Sequence, residues 1–151
     1  MTDRFLHFIP FIFKWETEYN ADGSVRTEHD PDDPGGTTRY GIDQRSHPGV
    51  DVASLSKEQA TAIYYDEWTR SGAEDMPENL GEIYFNACVN AGKSRADKLM
   101  YESNGDPSAF LDAQAAFYRR IAAARPRMAK FLKGWLNRLN DLRHFLNLDA
   151  S

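Results

Sequence analysis

The sequence predicts a mainly α fold with a small irregular β-hairpin or loop region between the first and second helices. Three observations lead there. From Ser56 onward, apolar residues recur at spacings of three and four, and helix caps punctuate them. Residues 19–54 concentrate the breakers, in "NADG" and "DPDDPGG". Alternation of period two is weak across that stretch, so extended strands are not expected there.

The elements follow in order. Phe5, Phe8, Ile9, Ile12, Phe13 and Glu16 share one face of a first helix within residues 3–18. Pro10 is expected to start that helix as a first-turn residue, because a proline in the interior removes a hydrogen bond. "NADG" at 20–23 signals a tight hairpin turn. "SKEQ" at 56–59 is a capping box, with Ser56 as cap and Gln59 three residues on. Ala60, Ile63, Tyr64 and Trp68 continue one face until Gly72 stops the helix. "NLGEIYFNACVNAG" predicts an apolar helix ending at Gly92. "SRADKLMYESNG" predicts a short one after it. The next is capped by Asp106, has Pro107 at its first position and ends before Pro126. "PRMAKFLKGWLNRLNDLRHFLN" predicts the last helix.

At 151 residues the chain is long enough for one domain with a real core. The expected layout is a single domain, 1–151, with a motif half at 1–70 and a helical half at 71–151. The formal net charge of −5 argues against a nucleic-acid partner, which calls for a basic stripe. No apolar run is long enough for membrane insertion. The apolar start "MTDRFLHFIPFIFKWE" is short, interrupted by Pro10 and lacks a small-residue cleavage site, so it reads as part of the fold. Synthesis in the cytoplasm without a signal peptide is expected, with action elsewhere requiring release or export. Cys88 is the single cysteine; it reads as a small buried hydrophobe. His29 and His47 have no partner at metal spacing and read as loop residues, so no metal and no other cofactor is expected.

Chemistry is suggested by "WETEYNADGSVRTEHDPDDPGGTTRYGI", residues 15–42. Glu16 falls at the end of an apolar face beside Trp15. A carboxyl against aromatic surface loses hydration, which disfavours its charged form and suits it to donate a proton. Asp30, Asp32 and Asp33 lie in a polar, glycine-containing turn where a carboxylate stays ionised. Two carboxyls in opposite environments are what glycoside hydrolysis requires. The plainer reading is that Asp30 and Asp33 precede prolines and initiate turns. "GGTTRYGI" follows directly: the glycines permit tight turning and close approach, and threonine hydroxyls can orient a water.

These residues resemble the signature of glycoside hydrolase family 108, the phage and bacterial N-acetylmuramidases. That signature runs Glu-Gly-Gly-Tyr, then Asp-Pro-x-Asp-Pro-Gly-Gly-x-Thr-x-x-Gly-Ile. The resemblance implies a lysozyme-like helical domain. It places Glu16 on the catalytic glutamate, Asp33 on the second aspartate of the turn, Thr38 on the threonine before Gly-Ile, and Tyr19 on the family's tyrosine. Tyr19, Tyr40, Asn90 and Glu18 are the candidate substrate-binding residues. "YFNACVNAG" and "FLKGWLNRLNDL" are similar to the family's helical C-terminal segment, described as peptidoglycan-binding. The implied activity is cleavage of the β-1,4 bond between N-acetylmuramic acid and N-acetylglucosamine, by a phage endolysin or a bacterial muramidase acting as a monomer on peptidoglycan glycan strands.

Four departures stand out. Thr17-Glu18 replaces Gly-Gly, which makes Glu18 a second nearby acid. "NADGSVRTEH" at 20–29 is longer than usual and is expected to form a lip of the cleft with little core. Asn86 stands where the family has aspartate and Gln114 where it has arginine; if those two pair across helices, both have been neutralised together here. The rival class is a non-catalytic peptidoglycan-binding module that keeps the fold. Elsewhere, Tyr64, Tyr65 and Trp68 read first as core and only second as sugar-stacking rings. Asn90 serves equally as a sugar contact or a helix terminator. The basic run Arg125, Arg127, Lys130, Lys133 and Arg138 reads as a solvated helix face, with anionic wall polymers as the sharper alternative.

Overall fold

The computed structural model of the chain describes residues 1–30, 32 and 36–149. The described residues form six α-helices and a three-stranded antiparallel sheet placed between the first two helices, the architecture predicted. The chain divides into two compact units, Met1–Thr69 and Arg70–Ser151.

In the first unit α1 spans Asp3–Glu16 and α2 spans Lys57–Ser71. The expected start at Pro10 is corrected: α1 begins seven residues earlier, capped by the Thr2 hydroxyl, which accepts from the Phe5 N–H at 3.2 Å. Pro10 is exposed inside the helix. Its missing N–H would have bonded Leu6, itself 45% exposed, so water can serve that carbonyl. Against that modest cost stand six buried apolar side chains of α1, from Phe5 to Phe13. They meet α2 through rings: Phe5 lies 4.9 Å from Tyr65 and 5.9 Å from Trp68, and Phe13 lies 5.6 Å from Tyr64, edge on. Such pairs add roughly 0.5–1.5 kcal/mol each beyond burial. Tyr64 and Trp68 are fully buried, as the core reading expects. The Ser56 capping box is closed in both directions, Gln59 N–H to Ser56 Oγ at 3.1 Å and Ser56 N–H to Gln59 Oε1 at 2.8 Å.

Strands β1 (Thr27–Glu28), β2 (Thr38–Arg39) and β3 (Ile42–Asp43) are two residues each. Thr27 pairs with Arg39 and Glu28 with Thr38; Thr38 then pairs with Asp43 and Arg39 with Ile42. Such a small sheet needs help, and Arg39 supplies it. Its Nε donates to the Leu55 carbonyl at 2.8 Å, and its Nη1 to the Val25 carbonyl at 2.9 Å and Thr27 Oγ1 at 3.0 Å. The predicted "NADG" turn is present: Tyr19 bridges Val25, and Asn20 N–H reaches the Ser24 carbonyl at 2.8 Å. Gly23 takes the positive φ, +86°, that the turn demands.

The second unit holds α3 (Leu80–Ala91), α4 (Lys93–Ser103), α5 (Pro107–Ala124) and α6 (Leu132–Phe145). Asp106 caps α5 as predicted, accepting from the Ala109 N–H at 2.8 Å. The last helix differs from expectation. Pro126–Phe131 forms a 3-10 segment, and the α-helix starts only at Leu132. Arg125, extended before Pro126 with φ −130° and ψ 92°, ends α5, and the chain resumes from the proline in the tighter 3-10 winding. Residues Leu80–Ala87 of α3 are buried without interruption. Cys88, expected to be buried, is half-buried and takes part in no disulfide. Asn86 and Gln114 make separate contacts. Asn86 Oδ1 accepts from Arg138 Nε of α6 at 2.9 Å, both residues being buried, while Gln114 Nε2 donates to the Tyr118 hydroxyl at 2.9 Å. The cation facing Asn86 thus comes from α6.

Candidate active site

Glu16 is the last residue of α1 and is half-buried. The helix face carries it to the rim of a shallow cleft of the first unit, lined by Glu16, Glu18, Arg26, Glu28, Thr38, Arg39, Tyr40 and Gly41. Four of the sequence-predicted residues therefore meet there: Glu16, Glu18, Thr38 and Tyr40. Thr38 sits half-buried on the middle strand, directly opposite Glu28.

The link between α1 and the sheet is the turn between β2 and β3. Arg39 pairs with Ile42, so Tyr40 and Gly41 form a two-residue loop, and both have positive φ, 55° and 77°. That is a type I′ turn, whose twist suits antiparallel strands. A tyrosine rarely adopts this conformation. Here it is held from two sides. The Tyr40 ring packs edge-on to Phe13 at 5.7 Å, and its carbonyl accepts from the Tyr64 hydroxyl at 2.8 Å. Gly41 is required by space as well as by φ. A Cβ there would lie 2.7 Å from Glu16 Cβ, 3.1 Å from Glu16 Oε2 and 2.6 Å from the Tyr64 hydroxyl. Tyr40 is thus mostly a packing residue, only 9% exposed at the cleft wall.

The remaining candidates are placed differently. Asp33 lies outside the described residues. Tyr19 is 61% exposed, bridges Val25 and is not among the residues lining the cleft. Asn90 belongs to the second unit, where its amide donates to the Tyr118 hydroxyl. His29 Nδ1 lies 3.1 Å from Thr37 Oγ1, and His47 Nε2 lies 3.5 Å from Glu67. Among the described residues no group of three or more His, Cys, Asp or Glu side chains is placed to hold a metal ion, and no helix is long and apolar enough to cross a membrane.

Sequence reasoning did not single out Arg26, Glu28 or Arg39. Arg26 and Glu28 belong to the long segment after Tyr19, and their charged groups approach to 3.7 Å. A period-two reading of "VRTEH" would have put Glu28 and Arg26 on one face, but the segment is too short for that signal to stand out.

Residues 9–92, more than half of the chain, match the family described as Glycosyl hydrolase 108. Residues 79–140 match a domain described as a Predicted Peptidoglycan domain. No curated protein matches the chain. Among solved structures, the structure of Brucella abortus SagA shares the fold with a TM-score of 0.70 at 20% identity, covering 98% of this chain and 97% of that one.

Proposed function

The chain belongs to the glycosyl hydrolase 108 family, and we propose that it cleaves the β-1,4 bond between N-acetylmuramic acid and N-acetylglucosamine. It is a glycoside hydrolase acting on peptidoglycan, with a peptidoglycan-binding domain over residues 79–140. The observation that carries this proposal is the meeting of Glu16 with Thr38 in one cleft.

In this reading Glu16 donates a proton to the bridging oxygen as the glycosidic bond breaks. Asp33 and Thr38 stabilise the oxocarbenium-like carbon or place the water that attacks it. Glu18 flanks Glu16 and contacts the substrate, and Tyr40 forms the wall beside it. Tyr19, exposed at the hairpin, offers a ring to a more distant sugar. The protein reaches its substrate after release or export from the cytoplasm.

Two measurements test this. Turbidity clearing of purified sacculi should fall about 10²–10⁴-fold in Glu16→Gln, the usual weight of general acid catalysis. Mass spectrometry of the products should then show N-acetylmuramic acid at each new reducing end; N-acetylglucosamine there would reject the proposed bond. Sacculi bound but cleared by neither protein would favour the non-catalytic module that the Thr17-Glu18 departure suggests.

A further inference from the structure

Between Asp112 and Asp141 the chain has no acidic residue, yet it holds Arg119, Arg120, Arg125, Arg127, Lys130, Lys133 and Arg138. Seven of the 18 basic residues lie there, so the remaining 11 face all 23 acidic ones. A chain of net charge −5 thus keeps one strongly basic segment. Six of its seven cations are exposed; Arg138 alone is buried.

A ribbon of rings runs through the same segment. Phe117 lies 5.6 Å from Tyr118, Tyr118 stacks on Trp135 at 4.9 Å, and Trp135 lies 5.9 Å from Phe131. A cation covers each end: the Arg95 guanidinium sits 4.0 Å above Phe117, and Lys130 Nζ 5.1 Å above Phe131. Only Tyr118 is fully buried, and its hydroxyl accepts from both Asn90 and Gln114, which fixes the ribbon from beneath. Phe117 and Trp135 are half-buried and Phe131 is 44% exposed. The rings between α1 and α2 behave otherwise: Phe5, Phe8, Tyr64 and Trp68 are all sealed in core.

We propose that this ribbon and its basic rim are the surface that grips peptidoglycan, with sugar rings lying on Phe131 and Trp135 and stem-peptide carboxylates meeting Arg127, Lys130 and Lys133. The inference rests on the reading that the chain acts on peptidoglycan. A flat ring edged by polar groups suits the apolar C–H face of a pyranose, which keeps its hydroxyls in water. Exposed cations and carboxylates attract weakly one at a time, but a polymer presents many, and salt screens them together. A lipid surface is the poorer fit. It calls for apolar side chains protruding on one helix face, whereas here Trp135 stacks on Tyr118, and two amides hold the Tyr118 hydroxyl. The segment matched as a peptidoglycan domain encloses every ring of the ribbon.

The test is brief co-sedimentation of the full chain with purified sacculi on ice, where turnover is slowed and binding is read from the pellet. Phe131→Ser, and separately Lys130→Glu with Lys133→Glu, should each weaken binding about tenfold, and added salt should weaken wild type more than the double variant. Lys57→Glu with Lys98→Glu, the same charge change on exposed lysines elsewhere, should bind like wild type. Thermal melts check folding; if Phe131→Ser does not fold, the exposed lysine pair carries the test. Wild-type binding by the ring and lysine variants would overturn the inference. So would equal loss in the Lys57/Lys98 control, or tighter binding of wild type to phosphatidylglycerol vesicles than to sacculi. A wild type that binds through this face but releases no reducing ends would dismiss the proposed hydrolysis and leave the binding surface standing.

Discussion

Gly41 and Glu16 are in direct contact: a Cβ added to Gly41 would lie 2.7 Å from Glu16 Cβ and 3.1 Å from its Oε2. The contact joins the turn between β2 and β3 to the end of α1. It gives a physical reason for glycine in the Gly-Ile step of the motif, because no larger residue leaves the carboxylate where it is. The positive φ of 77° adds a second, independent reason.

Gly41→Ala should therefore do two things. It should destabilise the fold by about 2–4 kcal/mol, from an unfavourable φ plus overpacking. It should also lower hydrolysis further than the stability loss explains, by displacing Glu16. Gly23→Ala is the matched comparison: its φ is +86° but nothing lies within 4 Å of the added Cβ. That variant should cost only about 1–2 kcal/mol and leave turnover per folded molecule unchanged. Urea unfolding and sacculus clearing measure both; equal behaviour of the two variants would show that the Glu16 contact is unimportant.

Asp33→Asn should lose about 10²–10³-fold in clearing, the scale of removing one electrostatic stabiliser of the transition state. Asp32→Asn should lose far less. Asp32 is exposed, and the bond that holds it in the turn runs from its backbone N–H to Asp30 Oδ1 at 2.9 Å, which the substitution keeps. Similar losses at both positions would mean that the turn acts through summed charge or shape.

The segment after Tyr19 should divide into a dispensable tip and an anchored base. Residues Ala21–Ser24 are exposed, and among the described residues their hydrogen bonds run among themselves and to Asn20. Replacing them with a glycine bridge should change stability by less than about 1 kcal/mol. Val25 and Thr27 are held by Arg39. Arg39→Lys cannot reach all three acceptors and should cost about 1–3 kcal/mol. Denaturant melts rank the two. A tip deletion that costs more than Arg39→Lys would place the tip in the structural core of the sheet.

Acid should weaken the second unit through Asp97. The Tyr84 hydroxyl donates to its Oδ1 and Lys93 Nζ to its Oδ2, at 3.0 Å, and these bonds hold the carboxyl below its ordinary 3.8. A depressed folded value means that the unfolded chain takes up the proton first. The contribution is therefore complete above about pH 5 and fades as pH falls below 3.8 through the folded value. Asp97→Asn should accordingly melt lower than wild type by a constant margin from pH 7 to about pH 5, and the margin should narrow in acid. A margin that stays constant down to about pH 2 would show that proton linkage at Asp97 is not its cause.

Local chemistry determined much of this protein. The Ser56–Gln59 box, the Asp106-Pro107 start, the Gly72 and Gly92 stops and the "NADG" turn each act within four residues, so a short window of sequence holds the whole cause. The apolar face of α1 was legible for the same reason, and with it the position of Glu16 at the helix end. Tertiary structure decided what depends on distant partners. Pro10 stays inside α1 because six side chains find a core, a compensation that no proline rule contains. Arg39 becomes the brace of the sheet by reaching Val25, 14 residues back, and Leu55, 16 residues on. Asn90 is drawn to Tyr118, 28 residues away, and so joins a ring cluster of the helical unit. The close approach of Gly41 to Glu16 is of the same kind: the motif supplies a glycine, but only the packing of the β2–β3 turn on the end of α1 makes its missing side chain matter. Capping and turn preferences are short-range energies, whereas the convergence of side chains depends on register and packing that the whole chain sets together.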